Sequence, residues 1–470
     1  MTDSLAPFVP PAGVVADQPN FLPAAGCVWP AAARRLALHA DLLDFTADPG
    51  WGAPASTDLL TPGLPGVRFR PDHWLLVEDG RIQAVQRDDP GEGWQRIDQR
   101  GRLLLPGFID THVHSPQLDV IASFGTELLD WLNTYTFPAE QRYADPAVAE
   151  AGAATFLDAL LAHGTTSAVV FPTVHKVSAD ALLAAAHQRG MRLIAGKVLM
   201  DRHAPPALCD DVIGAELESR ELIRRWHGTG RLSYAMTVRF APTSTPAQLA
   251  MAARLLREVP DLYMQTHVAE NRAEVDWVAA LFPEARSYLD VYQRAGLLGE
   301  RSVLAHGIWL DDLDRRLLAD SGAQIAHSPS SNLFLGSGLF DWPALEAAGA
   351  RVSLASDVGG GTSLSMQRTL ADAYKIQALR GTRLSAWKAL HGATFGAAEA
   401  LGLAHEIGSL EPGRMADFCV WDWAQGTVGL HRDRLARNLH ERVFAWLTLA
   451  DERHLRAAWV AGRCCHTIDP

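Results

Sequence analysis

The stretch 106–117, PGFIDTHVHSPQ, sets His112 and His114 one residue apart where an apolar run ends. In an extended strand alternate side chains share a face, so Phe108, Asp110, His112 and His114 point one way and Ile109, Thr111 and Val113 the other. Further along, Arg239 lies in VRF, His267 and Glu270 lie in THVAE, and His306, His327 and Asp357 lie in LAHG, AQIAHSP and ASD. Several imidazoles and a carboxylate brought to one point make a good site for zinc or iron. His-x-His alone is weak evidence, because two polar residues at a loop edge read the same way. The later runs give the pair its weight, each carrying a ligand type at the end of an apolar stretch.

The elements that must position these residues follow from periodicity. Between residues 106 and 403 the strand candidates are GFIDTHVH, TTSAVVFP, RLIAGKVLM, LSYAMTVRF, LYMQTHVAE, RSVLAHG, AQIAHSP and RVSLASD. Between them lie stretches of helical period such as TSTPAQLAMAARLLREVP, where Thr245 can cap and Pro246 fits the first turn. Alternation of this kind predicts a (β/α)8 barrel, an α/β TIM-like fold whose functional groups sit at the C-terminal strand ends. Parity sharpens the expectation: Ser233, Ala235, Thr237 and Arg239 should face inward and Tyr234, Met236 and Val238 outward, with Ser353, Ala355 and Asp357 inward on the last strand. The flanks, 31–105 and 404–470, hold short strand-like pieces broken by Gly, Pro and Asp-Gly. We expect both to join in one small β-sandwich. Residues 1–30, rich in Pro, Ala and Gly, are expected to form a loosely ordered extension.

Composition excludes some partners. A chain of 470 residues with 42 basic and 54 acidic side chains has a net charge of −12, which argues against nucleic acid or an anionic membrane as partner. Five cysteines, Cys27, Cys209, Cys419, Cys464 and Cys465, form no C-x-x-C pair and read as reduced thiols of a cytoplasmic protein. The N-terminus lacks the charge and apolar run of a signal peptide, and no run of 18 apolar residues spans a membrane.

The runs PGFIDTHVH, THVAE, AHG, SDVGG and ATFGAAEALGL…GSLEPGRMADFCVWD resemble the amidohydrolase superfamily. More narrowly, LLDWLNTYTFPAEQRY (128–143), GKVLMDR, VRFAPT, QTHVAENRAEV and IAHSPSSNLFLGSGL resemble its guanine deaminase family, over about residues 75–465. The resemblance implies one zinc ion per chain, iron being the other candidate, held by His112, His114, His267 and Asp357. It implies that Glu270, His306 and Asp357 act on water and substrate, and that Gln117 and the Arg239–Phe240 pair meet a purine. It implies hydrolysis of guanine to xanthine and ammonia by a homodimer. The chemistry fits the residue types. Bound zinc brings the pKa of its water from 15.7 to about 7, Asp357 can accept a proton, Glu270 can deliver one to a ring nitrogen and another to the departing amine, and His306 can steady the tetrahedral centre.

Arg239 presents a planar fork suited to the O6 and N7 acceptors of guanine. Gln117 can donate and accept at a ring edge, and Trp131 and Phe137 can cover the ring. Plainer readings stand beside these: Arg239 as an ion-pair partner, Trp131 and Phe137 as packing, His327 as a polar wall, Asp110 as a ligand orienter or turn cap. Lys197 falls on the third strand instead of the end of the fourth, so the bridging lysine of two-metal relatives is not expected. The rivals are a deaminase of another aminated heterocycle (a pterin, triazine or adenine derivative), a two-metal cyclic amidase, and a protein that keeps its metal for stability alone.

Overall fold

The computed structural model describes residues 34–124 and 128–468; the expected extension over residues 1–30 lies outside the described residues. In chain order the strands are β1 (Arg35–Phe45), β2 (Val67–Glu78), β3 (Arg81–Gln86), β4 (Gln95–Pro106), β5 (Phe108–His114), β6 (Thr165–Phe171), β7 (Arg192–Ala195), β8 (Val198–Leu199), β9 (Leu232–Val238), β10 (Tyr263–Val268), β11 (Ser302–His306), β12 (Gln324–His327), β13 (Arg351–Leu354), β14 (Phe418–Trp421), β15 (Leu455–Val460) and β16 (Arg463–Thr467).

Each of the eight expected runs contains a barrel strand. They pair in parallel in the order β13-β12-β11-β10-β9-β7-β6-β5, with β8 added on β9. The third run breaks in two at Gly196, where a Cβ would lie 1.9 Å from the carbonyl oxygen of Ala235. Only glycine lets the backbones approach so closely there. The helix over Pro246–Glu258 starts as its sequence predicts, with the Thr245 hydroxyl accepting from Gln248 N and Pro246 in the first turn.

The two ends of the sheet meet through residues just beyond β13. Asp357 N donates to His112 O (3.0 Å) and His114 N to Val358 O (2.9 Å), while the Thr111 hydroxyl donates to Leu354 O (3.0 Å). Asp110 accepts from Ser356 N at 3.0 Å and from its hydroxyl. That carboxylate is fully buried, and burial pushes its pKa up to about 7.

Inside the barrel one layer takes Ile109, Val169, Ile194, Ala235, Tyr263, Val303, Ala326 and Ala355, covered from below by Ala397, Ala398, Leu401, Leu403 and Ile407. Tyr234, Met236, Val238, Val352 and Leu354 pack outward against the helices, as parity predicts. β5 departs from parity. Ile109 joins the inner layer and Phe108 packs outward, 5.8 Å from the Trp421 ring. The β5–β6 register shifts at Phe108/Ile109 and again between Asp110 and Val113, so Phe108 does not share the face of His112.

Both flanks join in one mixed seven-stranded sheet, ordered β16-β15-β14-β4-β1-β2-β3. Leu75, Val77 and Ile82 from one end of that order share an apolar cluster with Phe418, Val420, Ala457 and Trp459 from the other, around Leu36, Leu38, Ala40 and Leu42 of β1. Sheet and barrel are tied by Arg231, just before β9, whose guanidinium binds Glu406 (2.8 Å) and Asp417 (3.0 Å).

Candidate active site

The expected functional side chains leave the C-terminal ends of the barrel strands. His112 and His114 close β5, Arg239 follows β9, His267 lies at the end of β10 with Glu270 beyond it, His306 ends β11, and Asp357 follows β13. His306 and Asp357 hold left-handed backbone, with φ of 73° and 51°. For residues bearing a Cβ this costs of order 1–3 kcal/mol, strain that persists only where the surroundings enforce it. Glu270 is placed by the next helix, Arg272–Leu281. Asn271 and Glu274 form a capping box, and Glu274 Oε2 accepts from the backbone N–H of both Glu270 (3.0 Å) and Asn271 (3.2 Å).

Six of these side chains converge. His114 Nε2 lies 3.2 Å from both His112 Nε2 and His267 Nε2. Asp357 Oδ1 is 3.2 Å from His112 Nε2 and 3.5 Å from His114 Nε2. His306 Nε2 sits on the other side of the cluster, 3.6 Å from Asp357 Oδ2 and 3.4 Å from Glu270 Oε2. One donor atom from each of His112, His267, His306 and Asp357 also falls within a mutual 4.8 Å.

Four ligands at zinc–nitrogen and zinc–oxygen lengths of about 2.0–2.1 Å in a tetrahedron stand roughly 3.3 Å apart. The separations among His112, His114 and Asp357, and between His114 and His267, match that figure. His267 Nδ1 is 2.6 Å from Arg239 O, so that nitrogen donates and Nε2 keeps its lone pair for the cluster. Lone pairs facing one another in a buried cluster require a cation or a proton between them. The donor set therefore fits one transition-metal ion.

The electrostatics divide the cluster. Burial depresses the pKa of His112, and depresses those of His114 and His267 strongly, which keeps their rings neutral. Burial works against charge on His306 too, yet the Glu270 and Asp357 carboxylates beside it hold its pKa above the ordinary value. Asp357 stays below the usual range despite burial because His112 and His306 adjoin it. Burial pushes Glu270 up to about 7, with Ser337 donating to its Oε1 at 3.0 Å. A carboxyl group poised there can both give and take a proton at neutral pH.

The cluster opens into a cavity. His114, His267, Glu270, His306 and Asp357 form its floor, Leu128, Trp131, Leu132 and Leu335 its apolar wall, and Gln117, Arg239 and Phe240 another side. Phe137 does not line it; this ring packs with Trp131, Leu132 and Phe171 in the cluster behind the wall. His327 does not line it either. It is fully buried, stacked 4.3 Å from the Phe340 ring, and burial lowers its pKa to about 3. Asp110 lies under the site as the closure pin described above. Lys197 is turned to Asp210, with both oxygens at 2.8 Å, and to Glu218 at 3.4 Å.

Three residues escape a search for polar groups at strand ends. Asn332 Oδ1 faces His306 Nδ1 at 2.9 Å. Phe171 packs its ring within 5.0 Å of the His112, His114 and His267 rings. Glu140, from the short helix Phe137–Gln141, receives Arg239 Nη1 on both oxygens at 2.7 and 2.9 Å, and Gln117 Nε2 at 3.2 Å. The phrase TFPAEQRY held Glu140 in view, but nothing local to it points to Arg239.

Residues 103–463 match the model of the amidohydrolase family. The guanine deaminase of Escherichia coli (strain K12) is 43% identical over 402 residues, covering 84% of this chain and 92% of that protein. Its solved structure superposes with a TM-score of 0.87 at 40% identity, covering 92% of this chain and 100% of the other. A guanine deaminase from C. acetobutylicum, solved with guanine bound in the active site, gives a TM-score of 0.80 at 26% identity, over 92% and 99% of the two chains. The barrel, its polar mouth and these likenesses agree, and the chain belongs to the amidohydrolase family, within its guanine deaminase group.

Proposed function

We propose that this chain hydrolyses guanine to xanthine and ammonia. The observation that carries the reading is the meeting, at one cavity, of the His112, His114, His267 and Asp357 cluster, a carboxyl group tuned to about 7 and an arginine edge. The likeness to guanine deaminases over most of the chain supports it.

His112, His114, His267 and Asp357 would hold the ion, zinc or alternatively iron, with the spacing argued above. Such an ion, when bound, lowers the pKa of a coordinated water and makes it a nucleophile near neutral pH. The other steps belong to the chain. Asp357 takes the proton of the attacking water. His306, held by Asn332 and flanked by Glu270, hydrogen-bonds the oxygen that adds to C2. Glu270 protonates the ring nitrogen beside C2, and a second proton delivered to the exocyclic amine lets ammonia leave. Guanine and water are consumed; xanthine and ammonia result.

Arg239 would meet O6 and N7, which turns C2 toward the cluster, while Phe240 and Trp131 bound the ring plane. The reading extends to a homodimer in the cytoplasm. The thiols of Cys209, Cys419 and Cys465 support a reducing compartment, and among the described residues no helix is long and apolar enough to cross a membrane. The test is a panel of purines and pterins assayed for ammonia release. Guanine should yield xanthine and ammonia in equal amounts; silence with guanine alongside turnover of a pterin or triazine would overturn the assignment.

A further inference from the structure

Arg239 is the group the proposed function relies on to recognise the base, yet its guanidinium is already bound on one side. Nη1 makes two hydrogen bonds to Glu140, and Gln117 Nε2 makes a third to the same carboxylate. Glu140 is fully buried and Arg239 is 3% exposed. Gln117 is also fixed at its other end, its Oε1 accepting from Gly359 N at 3.1 Å. Both bonds from Arg239 to Glu140 leave through Nη1, so Nη2 and Nε are not spent on the pair.

A buried ion pair is weak grounds for stability, since apolar residues of the same volume often do as well. This one stands at the wall of a cavity, and its geometry has two consequences there. The pair restrains the guanidinium, so the Nη2–Nε edge is the part left to meet an occupant. Gln117 retains one amide N–H and one carbonyl lone pair of its complement. The charge of Arg239 is cancelled within the protein, so an occupant need not supply an anion.

We propose that Glu140 is a positioning residue that makes the site selective for a neutral purine bearing an oxygen at C6, by holding Arg239 and Gln117 as one preset edge. The inference rests on the functional reading above and deepens it. Glu140 touches neither the reacting carbon nor the cluster in this arrangement, so its loss should weaken binding of the base more than it slows the chemical step.

The experiment is calorimetric binding of two unreactive ligands, hypoxanthine (6-oxo) and purine (no oxygen), to the metal-loaded protein, in the parent and in Glu140→Gln. The variant keeps the volume and removes the charge. Hypoxanthine should bind roughly 10- to 100-fold more weakly to the variant, the size expected when a charged hydrogen-bond partner is lost, while purine changes by less than about threefold. The guanine KM should rise by more than kcat falls. Equal weakening of both ligands, or no weakening of either, would overturn the proposal. If Glu140→Gln does not fold, Glu140→Asp, which displaces the charge by one methylene, is expected to shift the two ligands unequally in the same direction; an equal shift would overturn it. Failure of the parent to release ammonia from guanine would refute the functional reading instead, independently of the binding ratio.

Discussion

His267 and Arg239 are joined through the backbone: the imidazole Nδ1 lies 2.6 Å from the carbonyl oxygen of Arg239, whose side chain reaches away to Glu140. One residue thus fixes an imidazole of the cluster with its main chain and, in the proposed function, would meet the base with its side chain. The two jobs can be separated by mutation.

Arg239→Ala keeps the carbonyl and should therefore keep the metal, while kcat/KM for guanine falls about 10- to 100-fold, the discrimination expected of a bidentate arginine contact. Truncation also leaves Glu140 buried without its partner, a cost of about 3–5 kcal/mol that should lower the melting temperature. Elemental analysis checks the first outcome, steady-state kinetics the second and thermal unfolding the third.

Asp110 and Ser356 pin the first barrel strand to the segment that carries Asp357. Ser356→Ala removes the hydroxyl donor from a fully buried carboxylate and should cost about 1–3 kcal/mol of stability. Asp110→Asn should weaken metal affinity about 10- to 100-fold, as loss of groups that orient ligands commonly does. Competition with a chelator measures the second effect; an unchanged affinity would show that Asp110 closes the barrel without orienting the cluster.

Glu270→Gln retains shape and the bond offered by Ser337. The fold and the metal should survive, and kcat should fall by roughly 10²- to 10⁴-fold, the usual contribution of a positioned acid–base group. Full ammonia release from this variant would place the proton transfers elsewhere.

Arg231 joins the barrel to the mixed sheet through Glu406 and Asp417, and Asp417 is nearly buried, with its side chain 3% exposed. Arg231→Ala strands that carboxylate and should destabilise by about 3–5 kcal/mol. Activity per folded molecule should stay within a few-fold of the parent, because Arg231 lines no part of the cavity. Chemical denaturation and kinetics on the same preparation separate the two.

The barrel is legible in the sequence because each strand is a short apolar run, and several of those runs end in a residue too costly to bury without a partner. That contrast places His112, His267, His306 and Asp357 at one mouth before any coordinates are known. Parity serves β9 and β13, where small inward residues alternate with bulky outward ones, and misplaces Phe108 on β5, where two register shifts turn the strand. Partnerships between distant segments are not legible. Glu140 meets Arg239 across 99 residues, and periodicity carries no information on such a pair. Aromatic character likewise did not tell Trp131, which lines the cavity, from Phe137, which packs behind it. Their segment includes a π-turn over Leu132–Thr136, which alters the facing that a 3.6-residue period would assign.

The most direct test of a single-ion deaminase is to strip the purified chain of metal and titrate zinc back while following xanthine from guanine. Activity should be absent at the start, rise in proportion to added zinc and level off at about one ion per chain, with His114→Ala failing to recover. Turnover in the stripped protein, or a plateau only at about two ions per chain, would contradict the account.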